Sequence, residues 1–462
     1  MKKKYVRWTL WTIASPFILF IILCILIYLP PIQNFLVDKA AVYASEATGM
    51  NISVGRISLS FPLNLVVTNV DAASPHNDTL LSVRRLQVNV QLLPLLKKQV
   101  EVDGISLQGA TVNSNDLIHG MKLNGTLGEL FISSHGVALD PETAIVNKVL
   151  LKDTDLSLCL NDTAAADTAA SDTAYWKIIL QDIDLQNVSF ALDMPLDSLS
   201  LAASLDNAIL RDGLIDLHKS AYSLQTFRIE NGRVRYDNGK PLAADSLSSG
   251  LDPSHIALTD IGVKLDSLYY GGRNMKAIIS QFVLKERSGV EIVSATGRMV
   301  SNDKVLRVPS LKLETRDSYL ELNAAMDWNA LDFKDEGLVS ARLMADIGKP
   351  DVVRFMGSMD EKFIRQYPSE PLRIRTGIDG DLNKLKLTTL TAELPGALGL
   401  FARGELTHLT DSLLRGGDIT LEAETKDLKF VSTLAEGIEI PYGTRLEGKF
   451  TMAGPKMGTD LL

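Results

Sequence analysis

The chain has 462 residues, 46% of them hydrophobic and 22% charged, with a net charge of −9. Lys2, Lys3, Lys4 and Arg7 precede the first apolar run, which leaves 43 basic against 56 acidic residues, a net −13, for everything after them. That length exceeds one hydrophobic core, the acidic body argues against nucleic acid and against adhesion to anionic lipid through a polybasic patch, and 6% aromatic residues are few for stacking on bases or sugars.

The first element is uncharged: Trp8 to Leu29, "WTLWTIASPFILFIILCILIYL". As a helix it reaches about 33 Å, enough to cross a hydrocarbon core of ~30 Å. Pro16 is tolerated in such a helix, and Trp8, Trp11 and Tyr28 stand near its ends, where amphipathic rings favour the interface. A cleaved signal peptide would have a shorter apolar region and a small-residue cleavage site, whereas this run meets Pro30 and Pro31. Residues 1–29 therefore read as a cytoplasmic basic tip and a single-pass transmembrane anchor, with the body outside. Residues 30–49 follow with Ile32, Phe35, Leu36, Ala40, Tyr43, Ala44 and Ala47 at helical spacing and Gly49 as a stop, an amphipathic juxtamembrane helix.

From residue 50 the apolar period becomes two. One motif recurs: Ile105-x-Leu107 then Val112; Val149-x-Leu151 then Leu156-x-Leu158; Ile183-x-Leu185 then Val188-x-Phe190; Phe227-x-Ile229 then Val234-x-Tyr236; Ile261-x-Val263-x-Leu265 then Leu268-x-Tyr270. The gaps of two or four residues carry Asn, Gly or Asp, which is hairpin chemistry, Asn231-Gly232 above all. A two-residue gap also resets which parity is apolar, so the slip at Gln186-Asn187 marks a tight turn or a bulge. The expected body is a long series of irregular, largely antiparallel hairpins, roughly thirty strands, over residues 50–345 and again over 346–462. Its low-complexity stretch 161–174, "NDTAAADTAASDTA", reads as a disordered loop. Helices are few and short; the clearest is Pro350 to Gln366. The closing "GPKMGTDLL" reads as a hairpin series cut off.

A sheet with one apolar face needs a cover. Helices are too scarce, so the face meets either a second sheet, as in a sandwich, or something apolar held within a curled sheet. Periodicity does not choose between them.

The six histidines are scattered, no catalytic or nucleotide-binding fingerprint occurs, and neither an enzyme nor a cofactor or metal site is expected. "DGDLNK" (Asp379 to Lys384) begins like a calcium loop, but Lys384 replaces the turn glycine; it reads as a hairpin tip. Asp-Thr followed by a small residue resembles an O-glycosylation motif of Bacteroidetes-type bacteria, and three copies crowd one loop, at Thr163, Thr168 and Thr173.

Two stretches in particular, "IYLPPIQNFLVDKAAVYASEATGMNISVGRISLSFPLNLVVTNV" and "DTLLSVRRLQVNVQLLPLLKKQVEVDGISLQGATVN", together with "LMADIGKPDVVRF" and "LRGGDITLEAETKDLKF", resemble the N-terminal part of the AsmA-like family, and within it the translocation-and-assembly-module (TamB) branch of Bacteroidetes-type bacteria. The resemblance spans most of the chain and rests on the order of the pieces, none of them sharp alone. It implies an inner-membrane anchor followed by an elongated, taco-like periplasmic β-groove similar to that of bridge-like lipid-transfer proteins. It also implies phospholipid transport between inner and outer membranes, with phospholipid acyl chains as the cargo. The alternative role is a scaffold for outer-membrane protein assembly beside an Omp85-type barrel. Members of this type are usually longer, and their C-terminal domain is absent here, so docking at the outer membrane is the implication least carried over. On this reading the groove is lined by Val88, Val90 and Leu92, by Ile105 and Leu107, by Leu156 and Leu158, and by Ile183, Leu185, Val188 and Phe190. Further along, Phe227, Ile229, Val234 and Tyr236 continue it.

Overall fold

The computed structural model describes residues 39, 41–42, 45–46 and 49–461, apart from 61–63, 75–78, 91–101, 115–119, 139–141, 162–174, 240–249, 335–336, 357–360, 434–440 and 455. The predicted anchor, with Trp8, Trp11, Pro16 and Tyr28, lies outside the described residues, as do Leu92, Thr163, Thr168 and Thr173. Among the described residues no helix is long and apolar enough to cross a membrane. Of the juxtamembrane helix, the described positions 39, 41–42 and 45–46 are helical. The expected stop is present: Gly49, at φ +70°, donates its N–H to the Ser45 carbonyl at 2.9 Å, the left-handed C-terminal cap that glycine favours.

The rest is mainly β, in two units divided between residues 196 and 197. The first holds β1 (Asn51–Ser60), β2 (Asn64–Ala73), β3 (Thr79–Val90), β4 (Val102–Asn113), β5 (Met121–Ala138), β6 (Thr143–Leu160) and β7 (Lys177–Met194). Each pairs with the next, antiparallel from β1 to β6. The pair β6–β7 is parallel, and the segment containing 161–174 makes the crossover. That register explains one sequence spacing: Val149 pairs with Ile183 and Leu151 with Leu185, each 34 residues apart.

The second unit holds β8 (Leu199–Asp216), β9 (Ala221–Leu224), β10 (Thr226–Asp237), β11 (His255–Gly271), β12 (Asn274–Glu286), β13 (Glu291–Ser301), β14 (Val305–Thr315) and β15 (Tyr319–Asp327), then β16 (Leu338–Ile347), β17 (Leu372–Asp381), β18 (Lys384–Leu394), β19 (Leu398–Thr407), β20 (Gly416–Thr425), β21 (Arg445–Ala453) and β22 (Lys456–Leu461). From β10 to β22 every strand pairs antiparallel with its successor, and β8 pairs with β10, with the short β9 set between β8 and β11. Among the described residues this unit has three α-helices, α1 (Trp328–Leu331), α2 (Lys349–Phe355) and α3 (Glu361–Gln366). The single helix expected over Pro350 to Gln366 is thus two short ones.

Among the described residues the strands number 22, longer and fewer than the roughly thirty expected. Asn231-Gly232 is no turn. Residues on both sides of it pair with the same neighbour, Glu230 with Asn207 and Arg233 with Ser204. Asn231 takes φ +54° and the chain runs on. Asn69, Asp153, Asn187, Asp212 and Asp260 do the same within β2, β6, β7, β8 and β11, and Gly109 within β4. Asn, Asp and Gly are the residues that enter the left-handed region most readily, so the composition that makes a tight hairpin also makes a bulge.

Among the described residues one compact apolar cluster joins Phe363 and Tyr367 to Leu394, Ala397, Leu428 and Phe430. There α3 closes over one end of the strands, with the rings of Phe363, Tyr367 and Phe430 at tilted or edge-on angles, 5.2–5.8 Å between centroids. Burial pushes the Tyr367 phenol above its ordinary pKa. Helix α2 is tied to the β14–β15 turn by Asp351, which accepts hydrogen bonds from Thr315 Oγ1 and from Ser318 Oγ (2.6 Å) and pairs with Arg354 (3.0 Å).

Candidate functional site

The period-two residues of the first unit line up across strands. Ile57, Val67, Leu86, Leu107, Leu130, Leu151 and Leu185 are successive cross-strand partners from β1 to β7. Leu59, Leu65, Val88, Ile105, Ile132, Val149 and Ile183 form a second row beside them. Then every strand slips phase at the same level, and the rows resume as Val54, Val70, Val83, Ala110, Leu127, Thr154 and Val188. A slip confined to one strand would turn its apolar set to the opposite face. Shared by all seven, it keeps the ladder whole. The polar side of the slip is pinned where the two parallel strands meet: Asn187 Nδ2 donates to Asp153 Oδ1 and Ser189 Oγ to Asp155 Oδ1, both at 2.8 Å. One row further, Gly125 pairs with Leu156, which pairs with Phe190. A Cβ on Gly125 would meet the Asp155 carbonyl at 2.1 Å, so only glycine fits there.

The second unit has the same construction. Ala208, Ile229, Val263, Phe282, Ala295, Leu313, Leu320, Ala345, Ile374, Ala392, Leu400, Ala423 and Leu446 are consecutive partners from β8 to β21, β9 excepted. Every member is apolar, and large and small alternate through much of the row. Ala345 in this row, between Leu320 and Ile374, and Ala402 outside it, between Leu390 and Leu421, are only 2% exposed. Leu387 and Leu390, of opposite parity on β18, line one cavity of ≈ 310 Å³ with Ala402, Ile419, Leu421 and Phe450. The bulge between them, seen as a register shift against β19, brings both side chains to one face.

The other face is polar. Lys312 pairs with Glu321, Arg375 with Asp346, Arg373 with Glu393 and Lys384 with Glu405 across neighbouring strands, at 2.8–4.0 Å. The calcium-like stretch is a β17–β18 turn, in which Asp381 Oδ1 accepts the N–H groups of Asn383 (2.9 Å) and Lys384 (2.7 Å).

Most predicted lining residues fall in these rows. Val88 faces Ile105, Leu107 faces Leu86, and Leu156 faces Phe190, while Leu158 pairs with Leu192 and Val90 with Val102 at the strand end. Phe227 sits between Leu210 and Leu265, Ile229 between Ala208 and Val263, Val234 between Ala203 and Leu258, and Tyr236 between Leu201 and Ile256. Sequence reasoning passed over the cavity on β18–β21, although Leu385-x-Leu387 and Ile419-x-Leu421 carry the same period. Gly404, between Leu387 and Ile419, interrupts the pattern there.

The rows mix partly open and buried positions: Ile105 is 38% and Phe190 39% exposed, whereas Val67, Val83, Ala208, Ala295, Ala345 and Ala423 are buried. No protein-family model matches the chain. No curated protein matches it either.

Proposed function

We propose that the apolar face is a lipid-carrying surface: phospholipid acyl chains lie along the ladders and complete the burial that the protein leaves unfinished. The observation that carries this reading is the continuity of the rows, seven strands in the first unit and thirteen in the second, with many of their larger side chains left partly exposed. A sandwich would seal such a face beneath a second sheet, and the only sealed cluster among the described residues is the one that α3 closes at a strand end. Each methylene moved from water to the face stabilises the complex by ~0.8 kcal/mol, and the rows offer no polar specificity, which suits cargo defined by its tails. With the anchor predicted at Trp8 to Leu29 and the AsmA-like resemblance, the full reading is an inner-membrane protein whose periplasmic β-groove moves phospholipid between inner and outer membranes.

The test is lipid extraction and mass spectrometry of the body (residues 50–462) expressed without the anchor and purified without detergent. Stoichiometric phospholipid supports the reading. A lipid-free body that also fails to take up a fluorescent phospholipid overturns it. Should loss of the protein impair insertion of outer-membrane barrels while lipid balance stays normal, the assembly-scaffold role beside an Omp85-type barrel replaces it.

A further inference from the structure

On the polar face of the first unit, Arg56, Thr68 and Arg85 are direct neighbours on β1, β2 and β3. Each stands next in sequence to a ladder residue, Ile57, Val67 or Leu86, so pleat alternation turns it away from the apolar face. With Ser58, Val66 and Asn69 they line a cleft of ≈ 580 Å³. The shared phase slip opens it: Asn69 is left-handed at φ +52°, and its neighbour on β1 is Gly55, where a Cβ would sit 3.0 Å from that of Asn69.

On the second unit's polar face Lys312, Arg373, Arg375 and Lys384 each have a cross-strand carboxylate, although others among the described residues, such as the facing pair Arg228 and Lys264, do not. Among the described residues neither Arg56 nor Arg85 has an acidic partner, and Arg85 reaches only Gln87 Oε1, at 3.3 Å. Strands β1–β3 hold three arginines and a single acidic residue. That residue, Asp71, already accepts a hydrogen bond from Ser82 Oγ at 2.6 Å. The backbones of Arg56 and Arg85, on alternate strands, stand about 10 Å apart, close to one Debye length. An anion between the two guanidinium groups relieves their repulsion and accepts charge-assisted hydrogen bonds from both, while the Ser58 and Thr68 hydroxyls and the Asn69 amide supply neutral donors.

We propose that this cleft is a phosphate seat, held by Arg56 and Arg85 with Thr68 between them. Its ligand is a phosphate group, either free or as the phosphodiester of a lipid headgroup. The proposal stands on the polar face alone and does not depend on acyl chains occupying the other face.

The experiment is calorimetric titration of the full chain in non-ionic detergent, at constant ionic strength, with two probes: inorganic phosphate and glycerophosphoglycerol, a deacylated headgroup. Arg56 and Arg85 are exposed, so Arg56→Gln/Arg85→Gln keeps the circular-dichroism spectrum of the parent. Wild type is expected to bind saturably, and the double variant to lose affinity by at least about tenfold. Thr68→Val, nearly isosteric, is expected to weaken binding less. Tighter binding of glycerophosphoglycerol assigns the seat to lipid headgroups; binding of inorganic phosphate alone assigns it to free phosphate. No saturable binding of either probe, or equal binding by wild type and the double variant, overturns the proposal. The acyl-chain reading is tested separately, because uptake of fluorescent phospholipid on the opposite face is left intact in the double variant.

Discussion

At the residue scale, the fold depends on single left-handed positions inside strands. Asn231 combines φ +54° with a side-chain hydrogen bond to Asp206 on β8. Asn231→Gly and Asn231→Val both lose that bond, but only valine also meets the steric cost of the left-handed region, about 1–2 kcal/mol. The valine variant is therefore expected to unfold at lower temperature than the glycine variant in circular-dichroism melts; equal midpoints would show that the bulge relaxes freely. A second residue-scale device is His255, buried between Asp252 (2.9 Å to Nδ1) and Asp237 (3.6 Å to Nε2) at the start of β11. The backbone N–H of Ser254 first, then the His255 ring, hold the Asp252 carboxyl below its ordinary value of 3.8. A carboxylate depressed in the folded state contributes stability that is present above the unfolded value and lost as pH falls through the folded one. Melting temperatures followed from pH 6 to about pH 3 are thus expected to fall less steeply for Asp252→Asn than for wild type, the difference opening as pH falls through the ordinary carboxylate value toward the lower folded one.

At the element scale, the unit of construction is a bulged strand with one apolar face, and about half of that was legible in the sequence. Alternation identified the apolar residues, and the recurring slip located the bulges to within two residues. Sequence did not separate bulge from hairpin, because Asn231-Gly232 suits both and only the pairing of β10 with β8 on either side of it decides. The parallel β6–β7 pair was also hidden, since a crossover of low complexity carries no helical signal. Alanines such as Ala345 and Ala423 looked neutral, yet they complete the thirteen-strand row by fitting between longer neighbours. These rows make a direct prediction about transport. Val188 and Ile229 are half-buried in the ladders, so Val188→Asp or Ile229→Asp sets a charge on the surface proposed for acyl chains, at a cost of about 1–3 kcal/mol in stability. Both variants are expected to fold by circular dichroism while phospholipid transfer between donor and acceptor vesicles falls sharply. Wild-type transfer by a folded variant would remove the ladder from the route.

At the scale of the whole molecule, the amount of apolar surface left open distinguishes this chain from an ordinary 462-residue protein. The described residues include 19 buried hydrophobic side chains, although 46% of the sequence is hydrophobic. A chain that seals its core gains a heat capacity of unfolding near 12–15 cal/mol/K per residue, because apolar surface meets water only on unfolding. On the acyl-chain reading proposed above, much of that surface already meets water when no lipid is bound. Delipidated body is therefore expected to show a heat-capacity change per residue well below that range in scanning calorimetry. If acyl chains bind the rows as proposed, added phospholipid supplies the missing burial, so the transition temperature and the heat-capacity change should rise together, the temperature with lipid concentration as binding to the native state alone requires. An amphipathic but tail-less compound such as glycerophosphocholine removes no apolar surface from water and is expected to leave both quantities unchanged. A normal heat-capacity change in the lipid-free protein would mean that the ladders close on one another in solution, and the acyl-chain reading would then lose its physical basis.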